Sequence, residues 1–401
     1  MAAPIRFIHC ADLHLGSRFV GISAEDPELG KKMIGSTFQA LENIVNKANR
    51  EAVDFVVFAG DIFDDKNETP YSRGYFADAL SRINAPCYIA YGNHDYRRRW
   101  EDSIPLPPNA HVFGPVAETF YYPSGDTEPL VELVGVSHSK KETPENLTAH
   151  IRGSSDLFTI GVVHCDVNGP MDSKYSPVRS SEMYNNGVDY WALGHIHKAQ
   201  IISEDPYMIY PGNTQGRDPG ESGPRGAYLI TIADDKVVKT EFFETQAVMW
   251  QDIEISIDEK MNLSAFIDEI VSKRVENALI RVIVTGSGPL NRDLRLDGDE
   301  IKDMIESTTG CRCTGLVVRT FPMMDLKERA QVGDFISTVI DMGSRMSLKT
   351  APELVDIICT TTASNTYIRS VFESMGPDEL RALADDAVKL ILEHMIGGDD
   401  R

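Results

Sequence analysis

The sequence has no apolar run that approaches the roughly 20 residues needed to cross a bilayer, and its strongest runs are short pieces such as FVVFAG. It also lacks a basic segment followed by a long apolar core near its start, so we expect a cytoplasmic protein without a membrane partner. The six cysteines are scattered and no pair has CxxC spacing. This argues against a disulfide scaffold or a zinc knuckle and favours reduced thiols.

A basic surface is missing as well. The formal net charge is −22, and the excess of acidic residues is spread over both halves of the chain. A protein that binds nucleic acid on its own normally carries a basic electrostatic footprint. A polyanionic substrate would therefore have to be attracted by local charge, by metal ions or by a partner subunit.

The sequence does have the composition of a globular protein, with 42% hydrophobic and 25% charged residues. Its 401 residues exceed the usual size of one domain. The pattern of predicted elements changes near residue 245 and becomes helical near 326. We therefore expect a large domain at 1–245, a smaller α/β domain at 246–325 and a helical region at 326–401.

The large domain begins with alternating strand-like and helix-like segments. IRFIHCAD, VDFVVFAGD and APCYIAYGN read as strands, and STFQALENIVNKANREA and FADALSRINA between them read as helices. This β-α-β-α-β order predicts a layered α/β sheet whose strands point their carboxyl ends the same way. FTIGVVHCD, VDYWALGHIH, MIYPGNTQG and GAYLITI are further strand-like runs. The smaller domain repeats the alternation, with strands in VMWQDIEISI, ALIRVIVTG and TGLVVRTF and helices around NLSAFIDEIVSKRV and DEIKDMIEST.

Several of these strands end in polar residues, at the edge where α/β sheets place their ligands. The polar residues are Asp12, His14, Asp61, Asp64, Asn93, His94, Asp95, His164, His195 and His197. A mixture of imidazole and carboxylate donors suits manganese, iron or zinc better than magnesium or calcium. Seven ligands are too many for one ion, so two ions that share Asp61 are the simplest interpretation. Each histidine alone would more often be a packed or surface residue, and GNHD alone could be a turn.

The ordered set D-x-H, G-D-x-x-D, G-N-H-D, H and G-H-x-H resembles that of the calcineurin-like binuclear metallophosphoesterases. Within this superfamily, FIHCADLHLGS, GDIFD, YGNHD, VVHCDV, DYWALGHIH and YPGNTQG are similar to the SbcD-type double-strand-break repair exonucleases, and most to their YhaO-type branch. The resemblance is strong over 1–245, general over 246–325 as a capping domain, and weak after 326. It implies a four-layer α/β sandwich of two β-sheets flanked by helices.

The resemblance also implies roles for individual residues. One ion would be held by Asp12, His14, Asp61 and His197, and the other by Asp61, Asn93, His164 and His195. The implied cofactors are two divalent ions, expected to be Mn²⁺, that generate a hydroxide at neutral pH. His94 would protonate or hydrogen-bond the leaving 3′ oxygen, and Asp64 would pair with His94.

The three arginines Arg97, Arg98 and Arg99 allow two interpretations. They either form a solvated charged stretch or contact DNA phosphates beside the metals. Tyr175, in the loop between His164 and His195, either shapes the substrate channel or orders that loop. We keep all four as predicted substrate-binding residues.

The favoured function is a manganese-dependent DNA nuclease for double-strand-break repair, with 3′→5′ exonuclease and single-strand endonuclease activity. The resemblance implies an SMC-like coiled-coil ATPase partner, SbcC-like, which region 326–401 would dock, and a nuclease homodimer. One alternative is a binuclear enzyme that hydrolyses a small nucleotide or phosphoester, since fold alone does not fix substrate. The other is a non-catalytic subunit that tethers DNA ends.

Overall fold

The computed structural model describes residues 3–17, 19, 27–64, 68–96, 100–153, 156–321, 331–361, 369, 371–372, 375–381, 383, 387–388 and 391. The chain divides into two compact units. The first comprises Met1–Asp252 with Val275–Leu279, and the second comprises Ile253–Arg274 with Ile280–Arg401. The three-part division at 245 and 325 stays a prediction.

Among its described residues, the first unit contains two α-helices, the strands of two large sheets and a small two-stranded sheet of β8 and β9. In chain order its elements are β1 (Ile5–Cys10), α1 (Pro27–Glu51), β2 (Phe55–Ala59), α2 (Pro70–Ser81), β3 (Cys87–Ala90), β4 (Ala110–Val112), β5 (Glu118–Tyr122), β6 (Val131–Val136), β7 (Phe158–His164), β8 (Asp166–Val167), β9 (Pro177–Val178), β10 (Tyr190–Gly194), β11 (Gln200–Glu204), β12 (Tyr207–Tyr210), β13 (Gly226–Ala233) and β14 (Lys236–Glu244). The predicted β-α-β-α-β order of the first 90 residues is thereby confirmed.

Each large sheet has a parallel centre. The first has the order β14-β13-β1-β2-β3-β4, in which β1 to β4 run parallel. The second has the order β11-β12-β10-β7-β6-β5, in which β12, β10, β7 and β6 run parallel. In each sheet the carboxyl ends of the central strands therefore lie at one edge.

The side chains of β2 show how the layers form. Val56 and Phe58 belong to the core that includes residues of α1 and α2, whereas Phe55 and Val57 belong to the core between the sheets. Successive side chains of a strand point to opposite faces. The outer face of the second sheet packs on segments that include the 3₁₀ helices Leu147–His150 and Ser180–Glu182. The metallophosphoesterase fold predicted from the sequence, two sheets flanked by helices, is confirmed.

The second unit is a smaller α/β unit with helices at its end. Its elements are β15 (Trp250–Ile257, which begins in the first unit), α3 (Leu263–Lys273), β16 (Leu279–Ser287), α4 (Leu290–Leu296), α5 (Gly298–Thr309), β17 (Arg312–Phe321), α6 (Phe335–Ser347) and α7 (Ala351–Thr361). The strands form a sheet of order β15-β16-β17. The three strands and the helices α3 and α5 were predicted, and the short helix α4 was not.

Two expectations from composition concern the whole chain. Among the described residues, no helix is both long and apolar enough to cross a membrane. Five cysteines are buried free thiols, as expected for reduced residues: Cys10, Cys87, Cys165, Cys311 and Cys313.

Candidate metal centre

The parallel strands at the centres of both sheets direct their carboxyl ends to one cluster of polar side chains. In the first sheet, β1, β2 and β3 are each followed within three residues by an acidic or amide side chain. In the second sheet β7 ends at His164 and β10 is followed directly by His195. The structure brings together all seven predicted ligands: Asp12, His14, Asp61, Asn93, His164, His195 and His197. Asp12 and His197, 185 positions apart in sequence, thus share one site.

Asp12, His14 and His197 form the first group of facing donor atoms, all within 4.8 Å of one another. Nε2 of His14 lies 3.3 Å from Nε2 of His197, and that nitrogen lies 3.7 Å from Oδ1 of Asp12. Ligand bonds of about 2.0–2.2 Å place neighbouring donors of one ion roughly 3.0–3.6 Å apart. The spacing therefore fits a transition-metal ion.

Asp12, Asp61 and His164 form the second group of facing donor atoms, also within 4.8 Å of one another, so Asp12 belongs to both groups. His164 is the centre of the second group. Its Nε2 lies 3.3 Å from Oδ2 of Asp61 and 3.1 Å from Oδ1 of Asn93. Nδ1 of His164 lies 3.0 Å from the carbonyl oxygen of Ala59, which aims Nε2 at the cluster. The ring of His195 lies against that of His164, with the centroids 5.3 Å apart. These four side chains are the set predicted for the second ion.

Asp61 lies between the two groups. Its Oδ2 is 3.8 Å from Nε2 of His14 and 3.3 Å from Nε2 of His164. In the part of the chain that the structure describes, neither Asp61 nor Asp12 pairs with a lysine or an arginine, although both are buried. Buried carboxylates need a compensating positive charge, and this donor set fits two divalent cations that would supply it.

Electrostatics couple His164 and Asp61. Burial alone raises the pKa of Asp61, but the charge and hydrogen bond of His164 and the charge of His14 hold that pKa well below its usual range. Burial alone lowers the pKa of His164, but the charge and the hydrogen bond of Asp61 outweigh burial and raise this pKa to about 9. A cation must displace this imidazole proton, so metal binding is expected to strengthen as pH rises.

Two glycines make room for the cluster. A Cβ atom on Gly92 would lie 2.2 Å from Oδ1 of Asp61, and one on Gly194 would lie 1.8 Å from the carbonyl oxygen of Ala59 and 2.7 Å from Nδ1 of His164. All of these distances are shorter than a non-bonded contact of carbon with oxygen or nitrogen. The glycines that precede Asn93 and His195 in the motifs are therefore required by close packing.

The backbone at the ligands is strained. Asp12, His14, Asp61 and His195 have positive φ angles of 52°, 45°, 50° and 111°. Such conformations cost about 1–3 kcal/mol each in non-glycine residues and cluster at functional sites. The strand ends are thus held in a geometry that the local sequence alone does not favour.

His94 and Asp64 form a pair beside the ligands. Nδ1 of His94 lies 3.1 Å from Oδ1 of Asp64, and Asp64 also accepts a hydrogen bond from Oγ of Ser17 at 3.0 Å. Burial lowers the pKa of His94, but the hydrogen bond to Asp64 and the nearby carboxylates outweigh burial and raise it. The pair predicted from the resemblance is thus in contact, and His94 belongs to neither ligand group.

The predicted substrate-binding residues have different outcomes. The ring of Tyr175 lies beside His195, with the centroids 5.2 Å apart, and the side chain is partly exposed. Tyr175 therefore lies at the edge of the cluster. Arg97, Arg98 and Arg99 lie outside the described residues.

Three residues that are not predicted ligands support the cluster. The carboxylate of Asp95 accepts hydrogen bonds from the backbone N–H groups of Gly92, Ile62 and Phe63, and burial raises its pKa to about 7. Asp95 thereby ties the loops after β2 and β3 together.

The other two are His138 and Glu221. Nε2 of His138 lies 2.7 Å from the carbonyl oxygen of His164, and burial lowers the pKa of His138 to about 4. Oε1 of Glu221 lies 2.6 Å from Nδ1 of His197. Neither His138 nor Glu221 lies in a local motif, so no signal in the sequence distinguishes either residue.

Known proteins resemble the chain in sequence. The profile of the family described as calcineurin-like phosphoesterase matches residues 5–199, which include all seven predicted ligands. An uncharacterized metallophosphoesterase, YhaO of Bacillus subtilis (strain 168), is 32% identical over 303 residues, or 72% of this chain and 74% of that protein.

Two further relatives are more distant. The DNA double-strand break repair protein Mre11 of Methanosarcina acetivorans is 27% identical over 250 residues, which are 59% of this chain and 38% of that protein. One subunit of the nuclease SbcCD of Bacillus subtilis (strain 168) is 23% identical over 293 residues, or 63% of this chain and 70% of that protein.

Proposed function

The chain belongs to the calcineurin-like phosphoesterase family, and from this premise we propose that it is a metal-dependent nuclease that hydrolyses DNA phosphodiester bonds. The family implies a metal-dependent phosphoester hydrolase. The proposal adds the substrate, DNA, and the two activities expected from the sequence, 3′→5′ exonuclease and single-strand endonuclease. Its cellular setting would be double-strand-break repair, and a cytoplasmic location stays a prediction.

The observation that carries the hydrolytic part is the joint geometry of the cluster. Facing donor atoms form two groups that share Asp12, one with His14 and His197 and the other with Asp61 and His164. Asn93 and His195 lie against His164, and His94, which is paired with a carboxylate, lies beside the groups without belonging to either. Asp12, His14, Asp61 and His197 would hold one ion, and Asp61, Asn93, His164 and His195 the other. The chemistry that two divalent cations supply when bound is Lewis-acid activation of water and of the phosphate oxygens. We propose Mn²⁺ because imidazole and carboxylate donors are mixed.

His94 would serve as the proton donor. As the bond between phosphorus and the 3′ oxygen breaks, that oxygen gains negative charge and takes a proton from the imidazolium. Asp64 holds the ring through Nδ1 and favours its charged form. Asn93 is neutral, so it adds a donor atom without repelling the phosphate.

Two of the three relatives support DNA as the substrate, since one is named for double-strand-break repair and the other as part of a nuclease. The segments YWALGHIH and YPGN belong to the same resemblance. A small phosphoester substrate is the second candidate, because the cluster itself contains nothing specific for a nucleic acid. A non-catalytic tether is disfavoured by the complete set of donors.

We further propose a partner and an assembly. The SbcCD relative from B. subtilis is itself one subunit of a nuclease, and we propose that this chain binds an SbcC-like coiled-coil ATPase and forms a homodimer. In region 326–401, Phe335, Met342 and Leu348 are 72%, 60% and 86% exposed. Phe335 and Met342 lie on α6 and Leu348 directly follows it, and exposed apolar side chains of this kind are typical of a docking surface.

The test compares wild-type protein with His94→Ala on DNA. Purified protein is incubated with Mn²⁺ and a 3′-labelled duplex, the corresponding single strand, or a small chromogenic phosphodiester, with EDTA as the blank. His150→Ala, which removes an exposed histidine, is the matched control. Bound metal is measured in every variant.

We expect Mn²⁺-dependent loss of labelled DNA that falls by about 10²–10⁴-fold in His94→Ala, with the metal retained. Hydrolysis of the chromogenic ester alone would contradict a nuclease and favour the small substrate. DNA binding without any hydrolysis would favour the tether.

A further inference from the structure

Glu221 contacts a predicted metal ligand from outside the cluster. It lies in the 3₁₀ turn Pro219–Glu221, and its Oε1 is 2.6 Å from Nδ1 of His197. Its Oε2 accepts hydrogen bonds from Nδ2 of Asn213 and from the backbone N–H of Arg217, each at 2.7 Å. Both carboxylate oxygens are therefore held by donors, and the side chain is only 13% exposed.

A buried arginine fixes Glu221 relative to His197. The guanidinium of Arg225 donates hydrogen bonds to the backbone carbonyl of His197, to that of Glu221 at 3.1 Å and to that of Ser222 at 2.9 Å. The turn that carries Glu221 is thus joined directly to the loop that carries His197. The contact between the two side chains does not depend on a bound ion.

This contact selects one form of the imidazole. The Glu221 carboxylate can only accept a hydrogen bond, so at 2.6 Å it requires the proton on Nδ1 of His197. Nη2 of Arg217 lies 3.2 Å from that Nδ1 and 3.5 Å from Oε1 of Glu221. Because a guanidinium can only donate, it pairs with the carboxylate and not with the protonated Nδ1. Nε2 then keeps its lone pair, and that nitrogen faces Nε2 of His14 at 3.3 Å and Oδ1 of Asp12 at 3.7 Å. His197 is 29% exposed, so the cluster encloses it less than Asp12, His14 or His164.

We propose that Glu221 is a positioning residue, which holds His197 in the tautomer and orientation that present Nε2 to an ion shared with Asp12 and His14. The inference rests on the proposed metal-dependent function. A carboxylate that accepts the other N–H of a ligating imidazole fixes the ring and makes its free nitrogen more basic. Removing such a partner typically lowers metal affinity by about 10–100-fold.

Calorimetric titration of Mn²⁺ into EDTA-treated full-length protein tests the proposal without measuring catalysis. Wild type is expected to bind two ions. In Glu221→Ala one site should weaken by about 10–100-fold while the other is unchanged, and Glu221→Gln, which keeps an acceptor oxygen, should lie between. Glu204→Gln is the matched control, because it removes one exposed carboxylate from β11.

The imidazole itself gives a second readout. Nitrogen-15 NMR of the metal-free protein should show His197 protonated at Nδ1 in wild type and as a mixture of tautomers in Glu221→Ala, a change that a merely structural role would not produce. Thermal unfolding in EDTA shows whether each variant folds. If Glu221→Ala does not fold, Glu221→Gln carries the test.

Unchanged affinities in the variants, or an equal loss at both sites, would overturn the role of Glu221. Wild-type protein that binds two Mn²⁺ ions with the expected variant effects but does not cleave DNA would overturn the nuclease alone. Wild-type protein that binds no Mn²⁺ would overturn both.

Discussion

His94 differs from the seven proposed ligands in its surroundings. Its Nδ1 meets Asp64 rather than another ligand, its backbone N–H donates to Oδ1 of Asp61 at 2.9 Å, and its side chain is 32% exposed. Asp12 and His164 are almost fully enclosed. A held but accessible imidazole can give its proton to a substrate, which an enclosed ligand cannot do.

Replacement of His94 should therefore slow hydrolysis most for basic leaving groups. In His94→Ala we expect DNA cleavage to fall by about 10²–10⁴-fold, because the 3′ alkoxide needs a proton as it leaves. Hydrolysis of bis(p-nitrophenyl) phosphate should slow by less than about tenfold, because the nitrophenolate leaves without needing a proton. In Asp64→Asn the rate of DNA cleavage should also fall more than the rate of ester hydrolysis, but both rates should fall less than in His94→Ala.

The measurement is the steady-state rate on both substrates at saturating Mn²⁺. Equal losses on the two substrates would place His94 in metal binding or in folding, and not in proton donation.

For individual residues, the sequence predicted which side chains meet in the cluster, but it did not predict every residue that supports them through a hydrogen bond. Polar residues at strand ends are visible because they interrupt apolar runs, and the contact of His94 with Asp64 followed from the resemblance. Glu221 and His138 contact residues 24 and 26 positions away. Their neighbours in sequence carry no periodicity that distinguishes a buried supporting side chain from an exposed one.

At the scale of elements, the turns after the strands determine the cluster. The turn after β3 brings the backbone of Gly92 against Asp61, and Asp95 in the same turn holds the loop after β2. The position of the bridging carboxylate thus depends on a residue with no side chain.

Gly92→Ala should displace Asp61, because the added Cβ would lie 2.2 Å from its Oδ1. We expect weaker Mn²⁺ binding and a free energy of unfolding lowered by about 1–3 kcal/mol, as for other overpacked sites. Gly35→Ala is the control, since a Cβ there meets nothing within 4 Å and alanine favours the helix by about 0.5–1 kcal/mol.

Calorimetry with Mn²⁺ and urea unfolding in EDTA measure the two effects separately. If Gly92→Ala bound Mn²⁺ as tightly as the wild type, metal binding would not depend on the present position of Asp61.

Element prediction succeeded where amphipathic helices alternate with apolar strands, and it was less accurate elsewhere. Helix α1 begins at Pro27, well before the predicted start at Ser36. The first part of the helix was missed because Gly30 and Gly35 lower the helix propensity of that stretch. The partition of strands between two sheets was not predictable. Strands such as β6, β7 and β10 are buried along their whole length, so their sequences give no alternation that identifies a partner.

At the scale of the whole molecule, His9 links the two sheets of the first unit. From β1 it reaches into the second sheet, where Nδ1 lies 2.9 Å from the hydroxyl of Tyr190 and Nε2 lies 3.2 Å from the carbonyl oxygen of Leu193. One acceptor and one donor suit a neutral imidazole. Burial lowers the pKa of His9 from 6.5 to about 3, although the hydrogen bond to Leu193 acts in the opposite direction.

This lowered pKa predicts a loss of stability in mild acid. The unfolded chain takes up a proton at His9 below about pH 6.5 and the folded chain does so only near pH 3, so the free energy of unfolding falls as pH falls between these values. From pH 7.5 to 5 the contribution of His9 is about 2 kcal/mol. His9→Gln, which keeps a donor and an acceptor, should lose that part of the pH dependence.

Urea unfolding in EDTA at several pH values gives the comparison. An identical pH dependence in wild type and His9→Gln would show that His9 does not titrate on unfolding.

We propose that one cluster holds two divalent ions on either side of Asp61. The most direct test is an anomalous difference map, recorded at the manganese absorption edge, from crystals soaked in Mn²⁺. We expect two peaks roughly 3.5–4 Å apart, one beside His14 and His197 and the other beside His164 and Asn93. A single peak, peaks elsewhere, or no peak at these residues would contradict this proposal.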